Sequence, residues 1–236
     1  FYPKVYLLQM KSICIIPARG GSKRIPRKNI KLFHGKPLIA WSIEVALQSG
    51  LFDAVYISTD DEEIANIAQK YGALIPFLRP AHLSNDFAND EDVRNHFIKW
   101  MIDNKLEANI LCYLYATAPF ITEDILRKCQ ELLIESGAAS AHTVTKFAYP
   151  VFRSLKKDKQ GLLTFMWKEY AGYRSQDLPE FFHDAGQCYF FNLQKNEEKG
   201  VLGYELSRFE CQDIDTIEDF KFAEFLFDYS RKINLL

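Results

Sequence analysis

The chain has 236 residues, of which 48% are apolar and 25% are charged, and its formal net charge is −2 at pH 7. This size and apolar share predict a single α/β domain, which we place at residues 10–236. The near-neutral charge argues against a nucleic-acid partner or an anionic membrane surface, and no run of about 18 apolar residues predicts a membrane span.

The cysteines and the N-terminal segment bear on the cellular compartment. The five cysteines have neither zinc-site spacing nor C-x-x-C spacing, so we expect small core residues in a reducing environment. The first nine residues lack the apolar stretch and cleavage site of a signal peptide. We therefore expect a cytoplasmic protein whose natural start is Met10, with an added or disordered extension before it.

Strand and helix patterns alternate along the chain. Short apolar runs predict strands at 12–16, 54–58, 110–115, 140–145, 187–191 and 204–209. Periodic apolar spacing with cap residues predicts helices at 37–48, 61–70, 91–103, 122–135 and 216–230. This alternation favours an α/β fold with a mostly parallel sheet and helices on both faces.

Residues 146–172 interrupt this rhythm. Large apolar side chains flank a polar turn at 156–161, and they are Tyr149, Phe152, Leu155, Leu162, Leu163, Phe165 and Trp167. Two short strands with so little core must bury their apolar face elsewhere. Two alternatives are open, a second copy of the chain or the same chain's own cleft.

A glycine pair within a run of cations follows the first predicted strand. Gly20 and Gly21 allow a tight turn whose amides can bind an anion, together with the neighbouring Ala18 and Ser22. Arg19 and Lys23 are suited to phosphate. The spacing matches neither the Walker A loop nor the dinucleotide fingerprint. A basic loop that contacts nucleic acid is the alternative, since seven cations fall within residues 19–36.

Two carboxylates, Asp213 and Asp215, follow the last predicted strand. In an extended chain their side chains point to one face, where they can hold Mg²⁺ together with substrate phosphates. Asp215 can also orient or deprotonate an attacking hydroxyl. The alternative is that one of them caps the helix that begins near Thr216, and Asp219 is expected to support that helix start.

These features form part of an ordered set of motifs between residues 11 and 220. The motifs are Ile15 to Ile30, Gly35-Lys36-Pro37-Leu38-Ile39, residues 52–61, Arg79-Pro80, Leu83-Ser84-Asn85-Asp86, Ala116-Thr117-Ala118-Pro119-Phe120, Gln176-Asp177-Leu178-Pro179 and Asp213-Ile214-Asp215. The set resembles the CMP-nonulosonate synthetases, the cytidylyltransferases that activate sialic acid and its relatives. The resemblance implies a Rossmann-like nucleotidyltransferase sheet. It also implies a homodimer, formed through the excursion at 146–172, whose active site borrows residues from the second subunit.

The resemblance also assigns roles to residues. It implies that Arg19, Lys23 and Asp215 are catalytic and that Asp213 and Asp215 bind Mg²⁺. The residues expected to bind CTP are Ala18, Arg19, Gly20, Gly21, Ser22, Lys23, Asn29, Arg79 and Ala88. From the sequence alone, Arg79 could equally be a surface arginine fixed by Pro80.

The expected sugar site departs from the pattern of the sialic acid enzymes. Tyr115 stands where they usually have Gln, Ser175 and His183 replace arginines, and Gln187 ends a run that is usually Asn-Gly-Ala. Polar exchanges of this kind can change substrate choice strongly. The residues at these positions resemble those of the family branch that uses pseudaminic acid, a sugar of bacterial flagellin and surface glycans. The expected sugar contacts are Tyr115, Arg174, Gln176, His183, Gln187 and Tyr189.

Three alternatives to this function stay open. The first is the same transfer to sialic, legionaminic or 3-deoxy-octulosonic acid. The second is a nucleic-acid-binding module that uses the basic loop, which would show strongly salt-dependent binding. The third is a nucleotide-binding regulator without catalytic activity.

Overall fold

The structure is a computed structural model that describes residues 10–194 and 199–233. The expectation about the natural start concerns residues 1–9, which lie outside the described part of the chain. Within the described ranges, no helix combines the length and apolarity needed to cross a bilayer.

Strands and helices alternate as the sequence predicts. The strands are β1 Ser12–Pro17, β2 Leu32–Phe33, β3 Lys36–Pro37, β4 Ala54–Ser58, β5 Ile110–Leu114, β6 Ser140–Lys146, β7 Leu155–Lys157, β8 Leu163–Phe165, β9 Phe182–Asn192 and β10 Val201–Leu206. The helices are α1 Leu38–Gln48, α2 Glu62–Lys70, α3 Asp90–Asp103, α4 Glu123–Ser136 and α5 Ile217–Lys232.

The central sheet has six strands in the order β10-β6-β9-β5-β1-β4. Strands β10 and β6 pair in parallel, as do β5 with β1 and β1 with β4, whereas β9 runs antiparallel between β6 and β5. The predicted mostly parallel sheet is therefore confirmed. The carboxyl ends of β1, β4 and β5 meet at one edge, since Pro17 lies opposite Ser58. Ligands usually bind at such an edge in α/β sheets.

Local sequence explains where the helices begin and end. Thr122 accepts a hydrogen bond from the Ile125 amide at the start of α4, and Gly137 closes that helix with φ of 66°. Helix α5 begins with a capping box in which Thr216 and Asp219 satisfy each other's backbone amides. The expected structural role of Asp219 is thus confirmed.

Strands β9 and β10 differ from their predicted bounds by more than one residue. Strand β10 ends at Leu206 because Ser207 starts a turn, in which the Glu210 amide donates to the Ser207 carbonyl oxygen at 3.0 Å. Strand β9 starts at Phe182, five residues before the predicted start, and its pairing with β6 shifts register between His142 and Val144. The alternation of apolar and polar residues does not predict its first residues as strand, because this irregular segment breaks the period-2 pattern.

The cysteines pack in the core as expected. All five are free thiols, and Cys14, Cys112, Cys129 and Cys188 have no exposed surface. Burial raises the pKa of the Cys112 thiol well above its usual range, which disfavours the reactive thiolate. These residues therefore serve as small apolar side chains.

Residues 147–181, here called the arm, carry the short β7–β8 hairpin. Phe152 stacks on Tyr170 with ring centroids 4.1 Å apart and meets Trp167 and Phe181 edge-on. Other apolar side chains of the arm are exposed in the single chain, among them Tyr149, Leu155, Leu162, Leu163 and Met166. The arm thus has a small aromatic cluster of its own but leaves an apolar surface uncovered.

Candidate active site

The loop after β1, residues 18–29, turns back along the carboxyl end of β4. The Gly20 amide donates to Asp60 Oδ1 at 2.9 Å, and a Cβ at Gly20 would lie 2.6 Å from Asp61 Oδ2. A side chain at Gly20 would therefore displace the loop. Arg27 adopts φ of 58° and binds the carboxylates of Asp61 and Glu63. These contacts fix a loop that we call the glycine loop.

Arg19 and Lys23 converge on one carboxylate. Arg19 Nη1 lies 3.1 Å from Asp86 Oδ1, and Lys23 Nζ lies 2.5 Å from Asp86 Oδ2. The hydrogen bond from Lys23, followed by its charge and by Arg19, holds the pKa of Asp86 below its usual range. The structure thus brings the two expected phosphate-binding cations together around a single anion position.

Asn29 and Arg79 are buried beside this loop. Asn29 Nδ2 donates to the Arg19 carbonyl oxygen at 3.0 Å and so supports the residue that carries the cation. Arg79 is only 5% exposed, donates from Nε to Ser84 Oγ at 3.1 Å, and has its pKa lowered by burial. A surface arginine, the alternative left open by the sequence, is therefore excluded.

A cavity of about 320 Å³, here called the basic cavity, opens over the glycine loop. This volume is in the range of small-ligand sites, which run from about 300 to 1,000 Å³. Of the expected nucleotide and catalytic residues, those that line it are Arg19, Ser22, Lys23, Asn29, Arg79, Ala88 and Asp215. Gly21 is exposed, and a Cβ there would have no neighbour within 4 Å among the residues described.

The cations of the glycine loop are paired with acids. Besides the contacts with Asp86, Asp61 and Glu63, Arg24 Nη2 lies 2.7 Å from Asp215 Oδ2 and Lys28 Nζ lies 3.3 Å from Asp215 Oδ1. The loop is therefore not an open basic surface. These ion pairs lower the net positive charge that the loop presents in the single chain, which counts against the nucleic-acid interpretation.

Asp213 and Asp215 flank the fully buried Ile214. Asp215 lines the basic cavity, whereas Asp213 lines a neighbouring one together with His183 and Asp184. Burial, followed by the negative charge of Asp215, raises the pKa of Asp213. Neither aspartate caps α5, because Thr216 does so. A pair of carboxylates that repel each other is a donor set that suits a divalent cation.

The sequence resemblance also implies a metal site at Asp213 and Asp215. Within residues 10–194 and 199–233, no three His, Cys, Asp or Glu side chains come together as a metal cluster. Asp213 and Asp215 would thus supply two ligands, and Mg²⁺ commonly takes its remaining oxygens from water and substrate phosphates.

A second cavity, here called the tyrosine cleft, shares Asp90, Tyr113 and Tyr115 with the basic cavity. Its other lining residues are Arg94, His142, Asp184, Tyr189 and Phe191. The rings of Tyr115 and Tyr189 lie 5.4 Å apart, and burial raises the pKa of both hydroxyls. Both hydroxyls stay protonated at neutral pH, and each donates its one proton to a carboxylate, Tyr115 to Asp90 and Tyr189 to Asp184. Towards a ligand they therefore act as acceptors.

The other expected sugar residues are dispersed. Arg174 and Gln176 are exposed on the arm, where Arg174 Nε lies 2.7 Å from Asp177 Oδ2. His183 lies in the cavity of Asp213. Gln187 has no exposed surface, and its Nε2 donates to the carbonyl oxygens of Ala185 and Gly186 at 3.1 Å. Gln187 lines neither the basic cavity nor the cavity of Asp213, and its Oε1 is buried without a hydrogen-bond partner in the described ranges.

Sequence reasoning missed four acidic or phenolic groups of the site. Asp60 anchors the Gly20 amide, Asp86 bridges the two cations, and Asp90 accepts hydrogen bonds from Tyr113 and Tyr115. An acidic residue at the end of β4 could have suggested Asp60. No local signal distinguishes Asp86, Asp90 or Tyr113 from ordinary loop and strand residues.

Comparison with known proteins identifies the family of the chain. The sequence model of the cytidylyltransferase family matches residues 13–230. The chain is 42% identical over 224 residues to the pseudaminic acid cytidylyltransferase of Campylobacter jejuni, covering 92% of this chain and 97% of the relative. It is 31% identical over 239 residues to the N-acylneuraminate cytidylyltransferase of Streptococcus agalactiae, covering 94% of this chain and 55% of that relative.

A solved structure shows the same fold. The CMP:2-keto-3-deoxy-manno-octonic acid synthetase complexed with CTP superposes with a TM-score of 0.67 at 19% identity, covering 93% of this chain and 99% of the other. The extent of the family match and the identity to the Campylobacter jejuni relative lead to one conclusion. The chain belongs to the cytidylyltransferase family.

Proposed function

We propose that this chain transfers CMP from CTP to the anomeric hydroxyl of pseudaminic acid and releases pyrophosphate. The observation that carries the proposal is the convergence of Arg19 and Lys23 on one anion position in the basic cavity. The 42% identity to a pseudaminic acid cytidylyltransferase supports the choice of sugar. The N-acylneuraminate relative makes sialic acid the competing substrate.

In this proposal the triphosphate replaces the Asp86 carboxylate between Arg19 and Lys23. The two side chains would hold the phosphates and neutralise charge that develops on them as the α-phosphorus is attacked. The backbone of Gly21 and the hydroxyl of Ser22 would complete the phosphate site, and the Gly20 amide would join it only after leaving Asp60 Oδ1. The new bond joins the anomeric oxygen to the α-phosphorus, and the bond from the α-phosphorus to the bridging oxygen of pyrophosphate breaks.

Buried Arg79, with Ala88 on the adjacent loop, is proposed to lie against the cytosine. An arginine donates hydrogen bonds only, so it fits the carbonyl oxygen of the base. Asn29 would keep the Arg19 backbone in place through the bond it already makes.

Asp213 and Asp215 would hold Mg²⁺, which when bound supplies positive charge to the triphosphate. Asp215 lies in the basic cavity and is the proposed acceptor of the proton that leaves the anomeric hydroxyl. In the unliganded chain Asp215 binds Arg24 and Lys28, so these contacts would have to loosen when substrate arrives.

The sugar is proposed to bind in the tyrosine cleft against Tyr115 and Tyr189, with His183 nearby. The exposed apolar surface of the arm supports a homodimer, in which Arg174 and Gln176 would reach the cleft of the second subunit. We place the reaction in the cytoplasm, where CTP is available and free thiols are maintained.

Pyrophosphate release with different nucleotides tests this function. With pseudaminic acid and Mg²⁺ we expect turnover with CTP, a product with the mass of the CMP-sugar, and little turnover with UTP or ATP. Lys23→Met should lower kcat/KM by about 100-fold, whereas Lys128→Met, at an exposed helix pair, should not. Equal turnover with UTP, or none with CTP, would contradict the proposal.

A further inference from the structure

Asp184 lies on the wall between the tyrosine cleft and the cavity of Asp213, and it lines both. Its two carboxylate oxygens accept the hydroxyl of Tyr189 at 2.8 and 2.7 Å, and Oδ1 also accepts the Gly186 amide at 2.8 Å. The residue is nevertheless exposed to solvent. A carboxylate held by two donors and open to a cleft is oriented before any ligand binds.

The backbone of β9 accounts for this position. Gly186 adopts φ of 63°, which favours glycine, and a Cβ there would lie 3.8 Å from Asp213 Cγ and 3.9 Å from Tyr115 Cε2. The turn lies within the register shift of β9 against β6. Gly186 therefore lies against one expected metal ligand and one expected sugar residue, and Asp184 shares a cavity with each of them.

The chemistry of a carboxylate restricts what it can recognise. An ionised carboxylate has about four lone-pair sites and no proton to donate, so it binds only donors. The contacts with Tyr189 and Gly186 leave it with acceptor capacity towards the cleft. The carboxylate of a sugar acid would be repelled, whereas a neutral N–H or O–H would be accepted. Acylamino groups are the N–H donors of pseudaminic acid.

We propose that Asp184 is a specificity residue that accepts a hydrogen bond from an acylamino N–H of the sugar. The inference rests on the proposed function and adds a residue that discriminates among sugar acids. A hydrogen bond to a charged acceptor is stronger than one between neutral groups. A sugar without a donor at that position would leave the carboxylate unpaired towards the cleft.

The test compares pseudaminic acid with a deoxy analogue that carries hydrogen atoms in place of its acylamino groups and so offers Asp184 no donor there. The kcat/KM ratio for the two sugars is measured in the wild-type chain, in Asp184→Ala and in Asp184→Asn. We expect the ratio to fall roughly 10- to 100-fold in Asp184→Ala, with the KM for CTP unchanged. Asp184→Asn keeps one acceptor oxygen, so an intermediate ratio is expected, and it covers the case in which the alanine variant does not fold.

Asp103→Asn, which removes a carboxylate of an exposed pair on α3, is the matched control. Equal losses on both sugars with an unchanged ratio would mean that Asp184 only supports the turn at Gly186, and this would overturn the inference alone. Absence of transfer to pseudaminic acid by the wild-type chain would overturn the proposed function and the inference with it.

Discussion

The Asp86 carboxylate takes the position that a phosphate oxygen would need. It binds both Arg19 and Lys23, and the lowered pKa shows that these cations favour its charged form. In the proposed function a triphosphate would therefore compete with Asp86 for both cations. The unliganded chain thereby avoids like-charge repulsion between the two side chains, but each incoming nucleotide competes with an internal anion.

Removal of this competitor should strengthen nucleotide binding. For Asp86→Asn we expect the Kd of CTP to fall roughly 3- to 10-fold, because the neutral amide competes less well for Arg19 and Lys23. Isothermal titration calorimetry in low salt measures this, with Asp103→Asn as the control. Weaker binding by the variant would show instead that Asp86 contributes directly to the liganded site.

The raised pKa of Asp213 predicts a stability difference that depends on pH. In the folded chain, burial and the charge of Asp215 disfavour the ionised form, so the folded pKa exceeds the unfolded pKa. The free-energy cost of ionising Asp213 in the folded chain is absent below the ordinary carboxyl pKa of about 4, and it is fully present above the raised folded pKa. Asp213→Asn should therefore have a higher Tm than wild type at pH 7 in EDTA, and an equal Tm near pH 3.5.

Differential scanning fluorimetry over this pH range measures the difference. A Tm of the variant below that of wild type at pH 7 would show that the charged Asp213 makes favourable contacts in the unliganded chain. Addition of Mg²⁺ and CTP should reverse the order, since only wild type keeps both carboxylates.

Single residues also show which parts of the candidate site can be predicted from the sequence. Arg19 and Lys23 were predictable because adjacent glycines and cations have a direct physical link to phosphate. Gln187 stays a prediction as a sugar contact: its side chain is buried at the register shift of β9, and its Oε1 has no hydrogen-bond partner in the part of the single chain that the structure describes. Asp86 joins the site from a loop more than sixty positions away, since |i−j| is 63 for its contact with Lys23. Only the folded chain reveals such a contact.

The glycine loop is the element on which the site depends most. Gly20 is in contact with the side chain of Asp61, which is itself held by Arg27 and by the Ile64 amide at the start of α2. Gly21, its neighbour, has open space around it. The two adjacent glycines therefore provide a matched pair of substitutions.

Gly20→Ala should lower the stability of the unliganded chain by about 1–3 kcal/mol, because Asp61 must move to admit a methyl group. Gly21→Ala should leave that stability unchanged within about 0.5 kcal/mol. Urea unfolding without nucleotide measures both variants. Equal effects of the two substitutions would mean that the Gly20–Asp61 contact does not constrain the loop.

At the level of elements, strands β1, β4 and β5 were predicted closely because apolar runs between turn signals define them. The direction of β9 was not predictable, since antiparallel insertion between β6 and β5 leaves no mark on a period-2 pattern. The end of β10 was misjudged because Ser207–Glu210 forms its turn through a backbone contact. Local composition alone does not reveal that contact.

At the scale of the whole molecule, the exposed apolar surface of the arm needs an explanation. Its exposed apolar side chains have no cover within the described part of the single chain, and Arg174 and Gln176 lie on it rather than in a cavity with Tyr115. A homodimer that exchanges arms would cover these apolar side chains. It would also place Arg174 and Gln176 beside the cleft of the second subunit. Symmetric dimers of this type use the same surface twice.

Complementation between two inactive variants tests this arrangement. Arg174→Ala damages the arm, and Asp215→Ala damages the basic cavity. After the two variants are combined and their subunits have exchanged, about half of the dimers contain one subunit of each variant, and each such dimer has one intact site of two. The mixture should therefore recover about one quarter of wild-type activity. Size-exclusion chromatography with light scattering first establishes that both variants are dimers. No recovery in a fully exchanged mixture would contradict arms that act in the partner's site.

The most direct test of the central claim is a competition among sugars in one reaction. Wild-type chain receives limiting CTP, Mg²⁺ and equal amounts of pseudaminic, legionaminic and N-acetylneuraminic acids, and mass spectrometry quantifies each CMP-sugar. We expect CMP-pseudaminic acid to dominate, and Lys23→Met to reduce all products together. A dominant CMP-N-acetylneuraminic acid product, or no CMP-sugar at all, would contradict the account.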